Sequence, residues 1–270
     1  SVSSLVGIGM GLPGPVLAGT IVKECVNLGW SEVAAAGELS GLLAERMGCS
    51  PAEIPVKAAN DANVAALGEM WRGGGRSCTS LVMVTLGTGI GGGIVINGKI
   101  LNGAFGCAGE IGHIICVEDE DITEKCSCGN RGCLEQIGSA TGIVKYTKLW
   151  LSRSDMPSVL RQILQEKGSI SAKDVFDAGK AGDEAAEQII DRVTGYLGRA
   201  LAGICTVVNP ECVLIGGGVS AAGEYLREKV ARNFKEQAFS GIKNTPVRLA
   251  VLGNEAGITG AAYMMISERK

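Results

Sequence analysis

The chain has 270 residues, and its 25 Lys and Arg against 28 Asp and Glu give a formal net charge of −3. This balance argues against a protein that coats a polyanion, because neutralising phosphates needs a concentrated basic surface. Hydrophobic residues make up 46% of the chain, which is enough for a packed core, while the 4% of aromatic residues leave few side chains for stacking on bases. We therefore expect a globular protein with no nucleic-acid partner.

The length fits one large domain or two lobes around a cleft. The longest apolar runs, such as 81–86, are far shorter than the roughly 20 residues that cross a bilayer, and the first residues carry no basic signal-peptide region. Five of the ten cysteines are scattered in apolar or helical contexts, which is typical of reduced thiols: Cys25, Cys49, Cys78, Cys205 and Cys212. We expect a cytoplasmic protein that has no membrane partner.

The first third of the chain alternates apolar runs with helical periodicity. A buried strand is predicted at 5–10 and is followed by a turn that is rich in glycine and proline at 11–15. Helical spacing covers 32–47, a short strand follows at 56–59, and Asn60–Asp61 opens a helix that stops at Gly73.

The pattern then changes to strands around glycine-rich turns. Strands are predicted at 81–86, 93–96 and 99–101, and the last two are joined by the hairpin signal Asn97–Gly98. Further elements are predicted as a helical stretch at 174–205, a strand at 213–215, a helix at 223–237, a strand at 247–251 and a last helix from about 258. Alternating strands and helices indicate an α/β fold.

One histidine and three closely spaced cysteines form the strongest local signal. His113 lies just upstream of Cys126, Cys128 and Cys133, and it is the only histidine of the chain. Three thiolates and one imidazole suit tetrahedral zinc, and four protein ligands leave no position for water, so we expect a structural ion. The alternative is a reduced loop that is rich in cysteine.

The segment Thr85–Gly93 follows a predicted strand and holds five glycines. Such a loop is a candidate phosphate cradle, because backbone N–H groups can close on an anion and the Thr88 hydroxyl adds a donor. It is not a Walker A loop, since no Lys-Ser/Thr follows. A tight β-turn remains open for this segment, as it does for Gly216–Gly218 at the end of a later strand.

Carboxylates stand next to these segments. Asp61 lies at or beside a helix N-cap, where it is a capping residue or a weak base whose ionised form the helix dipole favours. A weak base is sufficient for phosphoryl transfer, where positioning matters most. Glu110 and Glu135 flank the predicted zinc ligands, and they are either solvated loop charges or, with Asn60, ligands of a polyhydroxylated molecule.

Several segments together resemble the ROK family (repressor, open reading frame, kinase) and, within it, the bacterial glucokinases. The resemblance covers nearly the whole chain in the same order. The matching segments are Gly-Leu-Pro-Gly at 11–14, Asn-Leu-Gly-Trp at 27–30, Asn-Asp-Ala-Asn-Val-Ala-Ala-Leu-Gly-Glu at 60–69, Leu-Gly-Thr-Gly-Ile-Gly-Gly-Gly at 86–93, Gly-Glu-Ile-Gly-His at 109–113, Cys-Ser-Cys-Gly-Asn-Arg-Gly-Cys-Leu-Glu at 126–135 and Leu-Ile-Gly-Gly-Gly-Val at 214–219.

The resemblance implies an actin/hexokinase-like (ribonuclease H-like) α/β fold of two lobes, with a structural zinc site. It implies a small lobe formed by residues 1–60 and 257–270 and a large lobe formed by residues 61–256. It also implies ATP-dependent phosphorylation of the 6-hydroxyl of glucose, with Mg²⁺ accompanying the ATP, in a homodimer or homotetramer.

Roles for single residues follow from the same resemblance. Asp61 is implied to be the base that takes the proton from the sugar 6-hydroxyl. Sugar contacts are implied for Gly14, Asn60, Glu110, His113 and Glu135. Thr88 and Gly89 are implied to face the ATP phosphates, and Gly216 and Gly217 the adenosine. Zinc ligation is implied for His113, Cys126, Cys128 and Cys133.

Two alternatives stay open within this family. One is a kinase for N-acetylmannosamine, fructose or allose, although Pro15 stands where N-acetylmannosamine kinases commonly have arginine. The other is the sugar-sensing half of a transcriptional repressor. Family kinases also begin with a strand and an Asp-x-Gly-Gly-Thr loop, and the strand at 5–10 matches a later strand. We therefore expect the chain to lack part of the ATP site and to phosphorylate poorly by itself.

Overall fold

The computed structural model of the chain describes residues 5–23, 25 and 28–267. Asn27, the first residue of the matched segment at 27–30, lies outside the described residues. The strands are β1 (Ile8–Leu12), β2 (Val16–Leu17), β3 (Ile21–Val22), β4 (Val56–Asn60), β5 (Leu81–Leu86), β6 (Ile90–Ile96), β7 (Lys99–Ile100), β8 (Cys212–Gly216) and β9 (Val247–Leu249). The helices are α1 (Ala35–Met47), α2 (Asp61–Arg72), α3 (Glu135–Gly138), α4 (Ala140–Arg153), α5 (Val159–Lys167), α6 (Ala172–Lys180), α7 (Glu184–Val208), α8 (Glu224–Gln237) and α9 (Glu255–Ile266).

Most predicted elements are confirmed within a few residues, and the strand at 81–86 is confirmed at both ends. The single helical stretch predicted at 174–205 is wrong, because the structure has α6 and α7 there. Gly182 adopts a φ of 87° and interrupts the helix, and the Asp183 side chain then accepts the Ala186 N–H at 2.9 Å as the N-cap of α7. Helices α4 and α5 were not predicted, and each begins at a serine N-cap.

The described chain forms two compact units. The first comprises the described residues of Ser1–Met83, Gly92–Gly109 and Ala250–Lys270, and the second comprises Val84–Gly91 and Glu110–Leu249. This division differs from the predicted lobes by including 61–83, 92–109 and 250–256 in the first unit. The physical reason is that α2 packs closely on α9 and on β1. The lobe boundaries implied by the resemblance stay a prediction.

Strands β1 and β4 of the first unit form a parallel pair. The register joins Ile8 to Val56 at one end and Leu12 to Asn60 at the other, which brings the turn after β1 beside the start of α2. A small core cluster of Val16, Val22, Cys25, Ala35 and Ala58 packs near this pair, with the half-buried Trp30 against it. The matched segments at 11–14 and 60–69 therefore meet at one edge of the unit.

Glycines permit the close packing of α9 in the first unit. A Cβ on Gly260 of α9 would overlap the carbonyl oxygen of Val64 in α2, and a Cβ on Gly68 would overlap the carbonyl oxygen of Ala256. A Cβ on Gly9 would likewise overlap the carbonyl oxygen of Ala261. These approaches leave no space for a side chain at the three glycines.

Glu69 is a fully buried carboxylate in α2 of the first unit. Its Oε2 accepts the N–H of Gly74 at 2.7 Å, and its Oε1 accepts those of Val251 at 3.0 Å and Leu252 at 2.7 Å. Backbone N–H groups that point at a carboxylate offset the cost of burying its charge. Glu69 thereby joins the end of α2 to the segment that leads into α9.

The second unit contains part of a sheet in the strand order β6-β5-β8-β9. Strand β8 runs parallel to β9 and is buried at every residue, which its continuous apolar sequence predicts for a strand covered on both faces. Helices α6, α7 and α8 pack in series against one another. Among the described residues, no helix is both long and apolar enough to cross a membrane.

Candidate active site and metal centre

The first unit places Asn60 and Gly14 in contact. The Asn60 side-chain oxygen caps α2 by accepting the N–H groups of Ala62 at 3.0 Å and Asn63 at 3.3 Å. Its amide nitrogen donates to the carbonyl oxygen of Gly14 at 3.2 Å, where Gly14 adopts a φ of 89°. Two residues that the sequence assigned to a sugar pocket are thus brought together by the β1–β4 register.

Asp61 is the first residue of α2 and is exposed. The sequence left open whether Asp61 caps this helix, and the structure gives the N-cap position to Asn60 instead. One carboxylate oxygen of Asp61 accepts the N–H of Ala62 at 2.8 Å. This carboxylate oxygen is therefore a hydrogen-bond acceptor held at the start of the helix.

The second unit gathers the histidine and the three cysteines. The Cys126 Sγ lies 3.6 Å from His113 Nδ1, and the Cys128 Sγ lies 3.6 Å from the Cys133 Sγ. One donor atom from each of the four residues lies within 4.8 Å of all the others. Gly129 and Gly132 adopt φ values of 89° and 88°, a conformation that glycine permits and that allows the tight turn between the cysteines.

These four donors fit zinc in number, type and spacing. Zn–S bonds of about 2.3 Å and Zn–N bonds of about 2.0 Å in a tetrahedron separate neighbouring donors by about 3.5–3.8 Å. The two separations of 3.6 Å fall in that range. The ring nitrogen of His113 that approaches the Cys126 sulfur is Nδ1, so Nε2 remains for a hydrogen bond to another group.

The thiols of this cluster differ in their environments. Burial raises the pKa of the Cys133 thiol to about 12, whereas the backbone N–H of Asn130 lowers the pKa of the exposed Cys128. A divalent metal displaces protons from such thiols, because the thiolate is the ligand.

Glu135 joins the cysteine cluster to the glycine turn. Its Oε1 accepts from the Cys126 thiol at 3.1 Å and lies 3.9 Å from His113 Nδ1. Its Oε2 lies 2.8 Å from the position that a Cβ on Gly89 would take. The structure therefore brings together three predicted site residues, Glu135, His113 and Gly89.

Glu110 is exposed and precedes the short helical turn Ile111–His113. Its carbonyl oxygen accepts the His113 N–H at 3.1 Å, while its carboxylate makes no hydrogen bond within the described residues. Glu110 belongs to the second unit with His113 and Glu135, and Gly14, Asn60 and Asp61 belong to the first. Convergence of all six on one ligand stays a prediction.

Thr88 lies in the turn between β5 and β6. The Gly87 N–H bonds the Gly89 carbonyl at 2.9 Å, and the Gly87 carbonyl accepts the N–H of Ala140 at the start of α4 at 2.8 Å. The segment is thus a tight turn, which the sequence had left open. Thr88 also lines two cavities, one of about 200 Å³ beside Cys126 and one of about 480 Å³ on the α6 side.

The larger cavity is lined mainly by apolar or small side chains. Phe176 and Asp177 of α6 lie on one side, and the short helix Gly218–Ala222 lies on another. Its full lining is Gly87, Thr88, Ala140, Ser171, Ala172, Lys173, Phe176, Asp177, Gly218, Val219, Ala221 and Ala222. Sequence reasoning missed the residues from α6, because the spacing of apolar residues predicts a helix but does not reveal which part of that helix borders a cavity.

Gly216 and Gly217, which the sequence assigned to adenosine, lie next to this lining and not in it. Gly216 ends β8, and Gly217 adopts a φ of 82°. A Cβ on Gly217 would lie 2.6 Å from the backbone nitrogen of Leu86. The structure therefore requires glycine at this position for a close approach to β5.

Comparisons with known proteins show which family this chain resembles. A family model described as the ROK family matches residues 1–268. The glucokinase of Halalkalibacterium halodurans is 39% identical over 267 residues, which are 98% of this chain and 77% of that protein. The xylose repressor of Caldicellulosiruptor bescii is 30% identical over 267 residues, which are 98% of this chain and 63% of the repressor.

A solved structure is also similar. The crystal structure of a ROK family glucokinase from Streptomyces griseus in complex with glucose and AMPPNP matches with a TM-score of 0.76 and 31% identity, over 96% of this chain and 80% of that one. The likeness confirms the actin/hexokinase-like α/β fold that the sequence led us to expect. With the family model spanning nearly every residue and the two relatives covering almost the whole chain, this chain belongs to the ROK family.

Proposed function

We propose that this protein is a sugar kinase that transfers the terminal phosphoryl group of ATP to the 6-hydroxyl of glucose. Membership of the ROK family and the glucokinases among its relatives support this function. The observation that carries the proposal is the contact of Glu135 with both Cys126 and the Gly89 turn. A candidate sugar ligand and a candidate phosphate turn are adjacent within one compact unit.

Asp61 is the proposed general base. It accepts the proton of the 6-hydroxyl as the sugar oxygen attacks the phosphorus atom, and its carboxylate is held at the N-terminus of α2 by the Ala62 N–H. A carboxylate is a weak base, but phosphoryl transfer has a loose transition state in which placing the hydroxyl matters more than basicity.

The proposed sugar ligands are Asn60, Glu110, His113 and Glu135, with the backbone near Gly14. Carboxylates accept from sugar hydroxyls, whereas the Nε2–H of the imidazole and the second N–H of the Asn60 amide, whose oxygen already caps α2, donate to them. The bond from Asn60 to the Gly14 carbonyl supports this assignment, because it fixes the amide orientation beside Asp61.

The nucleotide is proposed to bind beside Thr88 and Gly89, with its base in the cavity of about 480 Å³. An apolar cavity of this size suits a purine ring, and Thr88 at its edge offers a hydroxyl to the phosphates. Gly216 and Gly217 border the cavity through Gly218 and are proposed to lie near the adenosine. Mg²⁺ that arrives with ATP neutralises charge on the transferred group.

The proposed zinc site consists of His113, Cys126, Cys128 and Cys133. A bound zinc ion supplies structural cross-linking of a loop that contains two short turns and little regular structure. The chain's own residues then do the chemistry: His113 is oriented through Nδ1, and Glu135 keeps its place next to Cys126. Reduced thiols fit the expected cytoplasmic location, which belongs to this proposal with the homodimer or homotetramer.

A second candidate function is sugar sensing in a transcriptional regulator. The 30% identity to a xylose repressor over 98% of this chain favours it. A sensor needs the sugar ligands and the metal centre but has no need of a base or a nucleotide cavity. The presence of Asp61 and of the cavity beside Thr88 favours the kinase.

Coupled phosphorylation assays on the full-length gene product test the proposal. We expect glucose-dependent consumption of ATP in the wild type and its near-complete loss in Asp61→Asn, with glucose affinity measured by calorimetry unchanged. Asp155→Asn removes a charge at an exposed position far along the chain and is the matched control. Glucose binding without any turnover in the wild type would indicate the sensor instead, and turnover that survives Asp61→Asn would assign the base elsewhere.

A further inference from the structure

We propose that Arg192 and Tyr196 of α7 are positioning residues for the cysteine cluster. They clamp the segment Glu118–Glu124, here called the strap, which lies between the histidine and the first cysteine of the cluster. The proposal rests on the proposed metal site, and it concerns how this chain holds the donor atoms in place.

Asp121 is the buried end of this clamp and is only 8% exposed. Its Oδ2 accepts from Arg192 Nε at 2.7 Å and from the Tyr196 hydroxyl at 2.6 Å. A carboxylate buried to this degree needs such partners, because an unpaired buried charge is costly. The strap is therefore fixed to α7 at its centre.

Arg192 also pairs with two further carboxylates of the strap. One of its terminal nitrogens donates to Glu118 Oε2 at 2.9 Å and to Glu120 Oε1 at 3.1 Å. The carboxylates of Glu118, Glu120 and Asp121 crowd within 4.8 Å of one another, and the guanidinium supplies positive charge between them. A planar guanidinium satisfies several carboxylates at once, which an ammonium group does less well.

Tyr196 fixes the backbone of the strap as well as its side chain. While its hydroxyl donates to Asp121, the same oxygen accepts the N–H of Glu118 at 3.2 Å. The guanidinium carbons of Arg192 and Arg199 lie 5.1 and 5.3 Å from the centre of the Tyr196 ring, which favours this ring position through cation–π contacts.

The other side of the strap is bonded to the cysteine loop. Arg131, between Cys128 and Cys133 in sequence, donates to Asp119 Oδ1 at 3.1 Å and to the Ile122 carbonyl at 3.1 Å. The strap is thus a continuous link from α7 to the turn that presents the thiols.

Gln136 makes a second link between the strap and the cluster. Its amide nitrogen donates to the Glu124 carbonyl at 2.6 Å, and its oxygen accepts the N–H groups of Gly132 at 2.9 Å and Cys133 at 3.1 Å. Since the cysteine loop has little regular structure of its own, these ties hold its thiols in ligand geometry. Removing Arg192 leaves the buried Asp121 without a cationic partner and leaves Arg199, 3.5 Å from Glu118, to offset the three carboxylates, so the strap should detach from α7 more often.

Cysteine alkylation in the metal-free protein tests the proposal without relying on activity. Cys128 is exposed, Cys126 and Cys133 are buried in the loop, and Cys205 is buried within α7. In the wild type we expect rapid labelling of Cys128 and slow labelling of the other three, read peptide by peptide by mass spectrometry. In Arg192→Met we expect Cys126 and Cys133 to be labelled at least about tenfold faster than in the wild type. Cys205 should stay protected, because the expected opening is local to the cysteine loop.

Tyr196→Phe is the milder variant and should accelerate labelling of Cys126 and Cys133 by a few-fold, because it removes one hydroxyl. Arg192→Lys should retain part of the protection, since lysine keeps the positive charge but lacks the several N–H donors of the planar guanidinium. Arg232→Met, which removes an exposed arginine bonded to Asp191, is the control and should label like the wild type. Unchanged labelling of Cys126 and Cys133 in both Arg192→Met and Tyr196→Phe would overturn the proposal.

A zinc readout separates this proposal from the proposed metal site. In the zinc-loaded protein, extraction by a chromophoric chelator should be about tenfold faster in Arg192→Met than in the wild type, as expected for more frequent local opening. If the wild type takes up no zinc, the metal site fails, while the alkylation result still decides whether Arg192 and Tyr196 position the loop. If zinc binds and leaves at equal rates in both proteins, the metal site stands and the clamp is refuted.

Discussion

The carboxylate of Glu135 lies directly against Gly89, with Oε2 only 2.8 Å from where a Cβ on Gly89 would be. The other oxygen of the same carboxylate accepts from the Cys126 thiol. Glu135 is therefore confined between the cysteine cluster and the turn that joins β5 to β6. A change in the turn must move the carboxylate, because the turn is itself fixed to α4 through the Gly87 carbonyl.

The first prediction is that Gly89→Ala impairs binding of the sugar as well as binding of the phosphates. The added methyl group would displace the Glu135 carboxylate by several tenths of an ångström. A displaced Glu135 carboxylate also misplaces the sugar hydroxyl that accepts the phosphoryl group. For shifts of this size we expect kcat/KM to fall by about tenfold to a hundredfold. Steady-state kinetics should show a raised KM for glucose together with a lowered kcat.

Gly87→Ala is the matched control for this prediction, because it lies in the same turn. A Cβ on Gly87 would meet only the Gly89 carbonyl oxygen, at 3.9 Å, which is ordinary van der Waals contact. We expect Gly87→Ala to leave the KM for glucose close to that of the wild type. Equal effects of the two substitutions on this KM would contradict the role given to the contact with Glu135.

Local sequence signals were sufficient for the residues that lie near one another along the chain. The C-x-C turn and the upstream histidine predicted a four-donor cluster, and the structure brings those donors together. The hairpin signal at Asn97–Gly98 was equally local, and both residues adopt a positive φ. In each case the residues that define the feature are only a few positions apart or are separated by one short loop.

Contacts between distant parts of the chain could not be predicted in this way. The larger cavity is formed by residues from the Gly87 turn, from α6 and from the segment after β8, and no short pattern joins them. Similarly, the pairing of Asp121 with Arg192 spans 71 positions. Arginines on a helix surface and acidic residues in a loop are common, so only the packing of α7 reveals that Arg192 pairs with the buried Asp121.

A second prediction concerns the glycines of α9. In Gly260→Ala, the added Cβ would overlap the Val64 carbonyl oxygen and would lie 2.7 Å from the Val64 carbonyl carbon. Because backbone atoms cannot move aside as a flexible side chain does, α9 and α2 must separate. We expect a loss of about 2–3 kcal/mol in the free energy of unfolding, measured by urea denaturation.

Gly257→Ala is its control on the same helix. A Cβ at this position meets nothing within 4 Å, so the substitution tests helix propensity alone. We expect it to be neutral or to stabilise the protein by up to about 1 kcal/mol. Destabilisation of similar size by both substitutions would show that close packing of the helices does not explain the need for glycine at 260.

A third prediction concerns the buried carboxylate of Glu69. Glu69→Gln replaces one carboxylate oxygen with an amide nitrogen, which cannot accept a hydrogen bond. That nitrogen must face either the N–H of Gly74 or the N–H groups of Val251 and Leu252. We expect a loss of about 2 kcal/mol in the free energy of unfolding, because at least one buried donor loses its acceptor. Glu45→Gln, at an exposed position of α1, is the control and should change stability by less than about 0.5 kcal/mol. Equal stabilities of the two variants would contradict the structural role of Glu69.

A fourth prediction is a loss of stability in alkaline solution that Cys205 makes steeper. Burial raises the pKa of the Cys205 thiol to about 12, whereas a thiol in an unfolded chain ionises near pH 8.5. Between these values the native state binds the proton and the unfolded state does not. The free energy of unfolding therefore falls as pH rises, by up to about 1.4 kcal/mol per pH unit for this one group.

Cys205→Ala separates this effect from packing. Below about pH 8, the variant measures only the lost contacts of the sulfur, and its stability should be lower than that of the wild type by a constant amount. Above pH 9, the curve of the variant should fall less steeply, so that the two curves approach each other. Urea denaturation at a series of pH values from 7 to 11 measures both, and parallel curves over the whole range would show that Cys205 ionises equally well in the folded and unfolded states.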